Sequence, residues 1–302
     1  MVRRTGSGNP VRRCARGYPG AEQATEEGDH VRIGRIGGAG HRKCHGQVLL
    51  QYLFCHSECG TGLLVDTGGG NGILRQLDRA GIRLTQLHDI FLTHKHTDHL
   101  LGVIWLIRMI AQSRQSGGYS GQCRIYAHRE LTGLVDTLAR LLLQPDQAAA
   151  LGDFILLVPV EDGQEWQIAG YPVRFFDIHS TKAKQFGFSL TLHSGEKLTC
   201  LGDEPYNPAN AADVAGSSWL LSEAFCLYGE AERFKPYEKH HSTVREACQL
   251  AQEMGVPHLV LWHTEETHLS QRKALYTAEG RDFYSGDLYV PDDLDVIALD
   301  RA

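Results

Sequence analysis

The sequence has no apolar run close to the roughly 20 residues that a membrane-spanning helix needs, so no span is expected. Its start is rich in arginine but lacks the apolar stretch of a secretory signal. Positive charge is not in excess either: 30 Lys and Arg stand against 36 Asp and Glu, a formal net charge of −6. That balance weighs against a broad nucleic-acid-binding surface while leaving room for a local basic groove. The eight cysteines are scattered. Only Cys55 and Cys59 are close, and their spacing is not that of a standard metal-ligand pair, so reduced thiols in a cytoplasmic protein are expected. There is no internal repeat, no long linker and no shift in composition. What remains is a chain of 302 residues, 42% hydrophobic and 22% charged. Those are the proportions of a soluble globular protein with a sizeable core.

Residues 1–29 show neither helical nor strand periodicity and read as a disordered tail or a start-site artefact, leaving 30–302 as one domain. Alternating or continuous apolar stretches predict strands over 31–36, 47–54, 62–65, 87–92 and 123–127. Further strands are predicted over 154–160, 171–177, 186–192, 197–201, 218–221, 258–262 and 294–299, the last closing a sheet edge. The first strand ends in Gly37-Gly38-Ala39-Gly40. No helix signal follows it, so a tight turn is expected there rather than a phosphate cradle. Helical spacing marks a short segment from Asn71 or Gly72 through 80, then 100–115, 131–143 and 243–254. For the last of these, Ser242 is a plausible cap and Gly255 a plausible stop. Strands and helices mixed throughout imply a layered α/β fold, two mainly β halves covered by helices.

The chemistry concentrates in Thr93-His94-Lys95-His96-Thr97-Asp98-His99, a turn between a strand and a helix. Imidazole and carboxylate are ligands for zinc and other first-row metals. One turn rarely fills a coordination sphere, so the later chain must supply more His or Asp at the ends of elements. Three positions do so: His179, Asp203 and His263 each end a predicted strand. Alone, a strand-end His or Asp is ordinarily a capping or hydrogen-bonded residue; the ordered set carries the signal. Trp262 reads as core and His268 as solvated in its polar run. A third site from His41, Cys44 and His45 is disfavoured.

That set resembles the metallo-β-lactamase superfamily over most of the chain beyond the tail. Leu64-Val65-Asp66-Thr67-Gly68 matches the preceding strand and turn, whose Asp usually supports the site without binding metal. The resemblance implies an α/β fold of the αββα four-layer sandwich type with two divalent cations, zinc first, Mn or Fe admissible. By position, one metal would take His94, His96 and His179; the other would take Asp98, His99 and His263; Asp203 would bridge them. Such pairs lie about 3.5–4 Å apart and activate water.

Within the superfamily, His240-His241-Ser242-Thr243 opening a helix, Leu201-Gly202-Asp203, and Ser222-Glu223-Ala224-Phe225 resemble the ribonuclease Z branch. The resemblance gives His241 the role of proton donor or phosphate contact, with Asp98 and Glu223 as further catalytic candidates and His240 as the lesser partner. Glu223 either orients a neighbour or satisfies a backbone donor. One departure stands out. The long Gly- and Pro-rich arm that grips transfer RNA in bacterial ribonuclease Z has no room between His179 and Asp203. Phosphodiester chemistry is therefore better supported than a tRNA substrate. The expected substrate is RNA or a small phosphodiester such as a cyclic nucleotide or phosphocholine ester, and a homodimer is implied by the family alone. The alternatives are a thioester or lactone hydrolase with the same centre, and a non-catalytic binding scaffold.

Overall fold

The computed structural model describes residues 30–34, 52–56 and 62–299. The expected tail, the turn at 37–40, Cys59 and the trio His41, Cys44 and His45 lie outside the described residues.

Fourteen strands form two sheets among the described residues. The first contains β1 (His30–Gly34), β2 (Tyr52–His56), β3 (Gly62–Val65), β4 (Leu87–Phe91), β5 (Cys123–His128) and β6 (Ile155–Val160). The second contains β7 (Glu165–Ile168), β8 (Tyr171–Asp177), β9 (Phe186–Thr191), β10 (Lys197–Cys200), β11 (Trp219–Glu223), β12 (His258–Trp262) and β13 (Asp287–Tyr289). The chain then returns through β14 (Asp295–Ala298) to pair with β1 at the edge of the first sheet, so the spatial orders are β14-β1-β2-β3-β4-β5-β6 and β13-β12-β11-β10-β9-β8-β7.

From β3 to β6 and from β10 to β13 the neighbours run parallel. Parallel neighbours need a crossover, and most crossovers here carry a helix. On the first sheet these are α1 (Gly72–Arg79), α2 (Thr97–Leu100) with α3 (Gly102–Gln115), and α4 (Arg129–Leu142) with α5 (Pro145–Ala148). On the second they are α6 (Ala211–Val214), α7 (Ala231–Phe234) with α8 (Val244–Glu253), and α9 (Arg272–Arg281).

The strand residues divide between three cores, as period-two alternation requires. Leu64, Ile90 and Ile125 face α3 and α4, meeting Val103, Ile107 and Val135. Leu63, Val65, Phe91, Phe175, Trp219 and Val260 fill the space between the sheets. Leu220, Leu259 and Leu261 face the other way, against Val244, Ala247 and Tyr276 of α8 and α9. The result is the expected αββα four-layer sandwich.

Two local expectations are corrected, and three further elements went unforeseen. The helix predicted over 100–115 starts at Thr97 and is interrupted at Leu101, because the ligand turn itself winds into a first helical turn. The cap of α8 is Thr243, not Ser242: Glu246 Oε2 accepts from both the Thr243 N–H (2.8 Å) and its hydroxyl (2.7 Å). Finally β7, α9 and β13 carry too few apolar residues to show a period; α9 buries only Arg272, Tyr276 and Gly280.

Candidate metal centre

In open parallel sheets the functional groups gather at the carboxyl ends of the strands. Here β3, β4, β10, β11 and β12 end on Asp66, the turn at 93–99, Asp203, Glu223 and His263, and these ends converge between the two sheets.

The turn is clasped by the one before it. The Thr67 N–H donates to the His99 carbonyl (2.8 Å), and its hydroxyl lies 2.9 Å from the same carbonyl. The Gly102 N–H donates to the Gly68 carbonyl (2.9 Å), and a Cβ at Gly102 would lie 1.8 Å from the Thr67 carbonyl oxygen. Only glycine lets α3 start this close. Asp66, fully buried, accepts from the Thr93 N–H (2.8 Å), the Thr93 hydroxyl (2.8 Å) and His99 Nδ1 (2.7 Å). It points at the backs of the ligands, as a supporting residue does. Thr93 in turn bonds His94 Nδ1 (2.9 Å), leaving the His94 and His99 Nε2 atoms turned to the centre.

Asp203 Oδ2 is the focus. It lies 3.5 Å from His94 Nε2, 3.6 Å from His99 Nε2 and 3.5 Å from His263 Nε2. His96 Nδ1 stands 2.8 Å from His94 Nε2, and Asp98 Oδ2 stands 3.8 Å from His99 Nε2. Donors around a tetrahedral zinc with bonds of about 2.0–2.1 Å sit about 3.3 Å from each other, so these spacings are those of ligands sharing a cation. Two of the five donor sets whose atoms lie within 4.8 Å of each other among the described residues are His94, His96 and Asp203, and Asp98, His99 and His263. Among the described residues, the buried His99 Nε2, His263 Nε2 and Asp203 Oδ1 atoms have no hydrogen-bond partner. Buried polar atoms are rarely left so, and a pair of cations would satisfy them. The residues present fit the group.

His179 stands apart. It is exposed and joins none of the donor clusters. Its N–H donates to Asp177 Oδ1 (2.8 Å), and it adopts a left-handed φ of 58°. Asp66 (φ 58°) and His263 (φ 55°) share that conformation. Each sits where a strand reverses abruptly, a strain of roughly 1–3 kcal/mol that the surrounding bonds must hold. Gly202 relieves the same problem before Asp203: φ is 83°, and a Cβ would meet Gln185 Nε2 at 2.4 Å.

Burial opposes the charged forms, and the neighbours decide. Burial disfavours the Asp203 carboxylate, yet the imidazoles of His94, His263 and His99 hold its pKa well below the usual range. Burial pushes His94 well down, and His263 down to about 4; the neutral ring is the form that ligates.

Beside this cluster the His241-Ser242 segment enters α8. Glu223 Oε1 accepts the Ser242 N–H, the Ser242 hydroxyl bonds the Glu223 carbonyl (3.0 Å), and Glu223 Oε2 stands 3.5 Å from His241 Nδ1. Of the two roles foreseen for it, Glu223 satisfies a backbone donor, the Ser242 N–H, whereas its Oε2 and His241 Nδ1 make no hydrogen bond. Its full burial raises its pKa to about 8. His241 stacks between Phe225 (4.8 Å) and His263 (5.1 Å), and burial, then Lys182, pushes its pKa down to about 4. His240 is exposed and bonds Thr181 Oγ1 (3.1 Å) instead. Trp262 is 3% exposed in the inter-sheet core. His268 is not simply solvated: its Nε2 pairs with Glu230 Oε1 at 3.0 Å.

The centre opens into a cleft of about 490 Å³ lined by Lys95, Lys182, Lys239, Phe225, His241 and the metal-facing groups. Sequence reasoning gave Lys182 no site role and passed over Lys239 and the supporting Thr93. Thr93 was visible only as part of the motif, and the two lysines have no spacing signal.

Comparison with known proteins places these features in context. A family model described as "Beta-lactamase superfamily domain" matches residues 61–264, more than half of the chain. A ribonuclease Z of Bradyrhizobium sp. is 25% identical over 285 residues, covering 74% of this chain and 91% of the relative. One from Streptomyces avermitilis is 27% identical over 271 residues, covering 78% and 87%. Among solved structures, the metallo-beta-lactamase fold protein YhfI from Bacillus subtilis superposes with a TM-score of 0.69 at 16% identity, covering 89% of this chain and 98% of its own. The short form of human tRNase Z gives 0.64 at 20% identity, covering 90% and 100%. These structural likenesses carry the fold.

Proposed function

The chain belongs to the beta-lactamase superfamily, and from that membership we propose that it is a two-metal hydrolase cleaving a phosphodiester, as its ribonuclease Z relatives are named to do. The observation that carries this is Asp203 Oδ2, 3.5–3.6 Å from three imidazole Nε2 atoms, beside a His241 stacked between Phe225 and His263 at a helix entrance. The ligand set is His94, His96 and His179 for one cation, Asp98, His99 and His263 for the other, with Asp203 between them. His179 has to turn inward from its exposed position to join. Zinc suits this mixed set best. When bound, the cations supply Lewis-acid charge and lower the pKa of water in the site.

The chain's own residues do the rest. Asp66 and Thr93 fix the tautomers and directions of His99 and His94. Asp203 holds the two halves of the site at one point. Glu223 fixes Ser242, the residue after His241, and His241 contacts the phosphate or the departing oxygen. The lysines that line the cleft suit a substrate bearing phosphate better than a neutral one, which favours the phosphodiester over the thioester or lactone reading. Residues 30–302 act as one catalytic unit on RNA or a small phosphodiester. The four described free cysteines, all buried, agree with a cytoplasmic setting, and no helix of the described residues is long and apolar enough to cross a membrane. A homodimer is the expected assembly.

The test combines metal content with a substrate panel of bis-p-nitrophenyl phosphate, pre-tRNA and a thioester. Asp203→Ala should lose bound metal and diester turnover while remaining folded. Full activity in that variant, or thioester turnover exceeding diester turnover in the parent, would overturn the proposal.

A further inference from the structure

Resting on the phosphodiesterase reading, we infer that Lys182 and Lys239 form a subsite for a second phosphate group of the substrate, set apart from the bond that breaks. The first observation is a ladder of rings leading outward from the metal centre. His99 stacks with His263 (centroids 5.7 Å apart, 15° between planes), His263 with His241 (5.1 Å, 27°), and His241 with Phe225 (4.8 Å, 14°). The Lys239 ammonium caps this ladder, 5.0 Å from the centre of the Phe225 ring. It therefore stands two rings along the ladder from His263, and it lines the same cleft.

The second observation is the fixing of Lys182. Its side chain is 20% exposed. Nζ donates to the Lys239 carbonyl at 3.0 Å and stands 3.7 Å from Glu204 Oε1, itself buried and accepting from the Ser180 hydroxyl at 2.5 Å. An ammonium carries three donors, and among the described residues this one makes a single hydrogen bond. Lys182 is thus an anchored charge with donors to spare, tied to the same backbone that carries Lys239. Two ammonium groups lining one cleft of about 490 Å³ suit a phosphate group as point charges, and the volume is that of a small-molecule site. The second phosphate is either a terminal monoester of a small molecule or the next phosphate of a nucleic-acid strand. The recognition chemistry is the same.

The experiment uses the metal-loaded full chain and three p-nitrophenyl esters of thymidine 5′-phosphate. One has a free 3′-hydroxyl, one a 3′-phosphate, and one a 3′-phosphate esterified to a second thymidine. The 3′-phosphate should lower KM about tenfold with little change in kcat. Lys182→Met and Lys239→Met should each collapse that preference, and Lys182→Arg should restore it. A preference confined to the monoester assigns the source as a small bisphosphorylated molecule, and one shared by the dinucleotide assigns it as a strand. A parent without the preference, or variants that keep it, overturns the subsite. Calorimetric binding of thymidine 3′,5′-bisphosphate gives a readout free of turnover: about tenfold weaker binding in both Met variants is expected. Lysine-dependent binding without hydrolysis of any diester would sink the phosphodiesterase reading and leave the subsite standing. Equal binding by parent and variants would sink the subsite alone.

Discussion

Asp66→Asn changes one atom of a fully buried side chain, and the consequence can be worked through bond by bond. With the amide oxygen at the Oδ1 position, the Thr93 N–H keeps its acceptor at 2.8 Å. The Thr93 hydroxyl, 2.8 Å from Oδ2, can turn from donor to acceptor. His99 Nδ1, 2.7 Å from Oδ2, has no such freedom. Facing an NH2 group it must accept, so its ring proton moves to Nε2, the nitrogen that faces Asp203. A protonated Nε2 has no lone pair for a cation. Loss of such a supporting bond lowers metal affinity or activity about 10–100-fold, roughly 1.4–2.7 kcal/mol.

The metal-free protein gives a second readout. Burial disfavours the charged His99 ring, but the Asp66 carboxylate overrides it and raises the pKa from 6.5 to about 9. A raised folded-state pKa stabilises fully below pH 6.5 and loses that contribution as pH rises through about 9, on the order of 3 kcal/mol. Parent melts without metal should therefore fall between pH 6 and pH 9.5 by on the order of 5–10 °C more than those of the Asn variant. Metal content after dialysis against a weak chelator, with melts at both pH values, decides the matter. An Asn variant that retains parental metal content and a parallel pH profile would refute the assignment of Asp66.

Three further outcomes are expected. Gly102→Ala places a Cβ 1.8 Å from the Thr67 carbonyl oxygen, and denaturant titration should show a loss of about 1–3 kcal/mol or more as α3 is pushed off the Asp66 turn. Glu223→Ala removes the acceptor of the Ser242 N–H and should lower kcat on the order of 10²-fold by loosening the segment that carries His241; unchanged metal content by mass spectrometry separates this from damage to the ligands. Trp262→Ala should lose about 3–5 kcal/mol of stability with little change in KM, since the ring is 3% exposed and packs between the sheets.

Much of the fold was legible because alternation and helical spacing are local. The strand at His258–Trp262 and the helix at Val244–Glu253 announce themselves through buried positions at regular intervals. Elements that bury little did not: α9 presents Lys273, Ala274 and Arg281 to solvent and packs through Tyr276 and Gly280. The His268 segment was read as solvated because its neighbours are charged, yet Glu265 is 4% exposed and His268 meets Glu230 across the fold.

By itself the sequence determined which residues have the chemistry to hold two cations, and that strands deliver them. Only the tertiary structure decided who faces whom. It turned Asp66 to the backs of the ligands, set Asp203 among three imidazoles, left His179 outside, and brought Lys182 to the Lys239 backbone. The reason is physical. Residue type and spacing fix what a side chain can bind and which face of an element it occupies, whereas distances between strand ends depend on how two twisted sheets pack through their shared core.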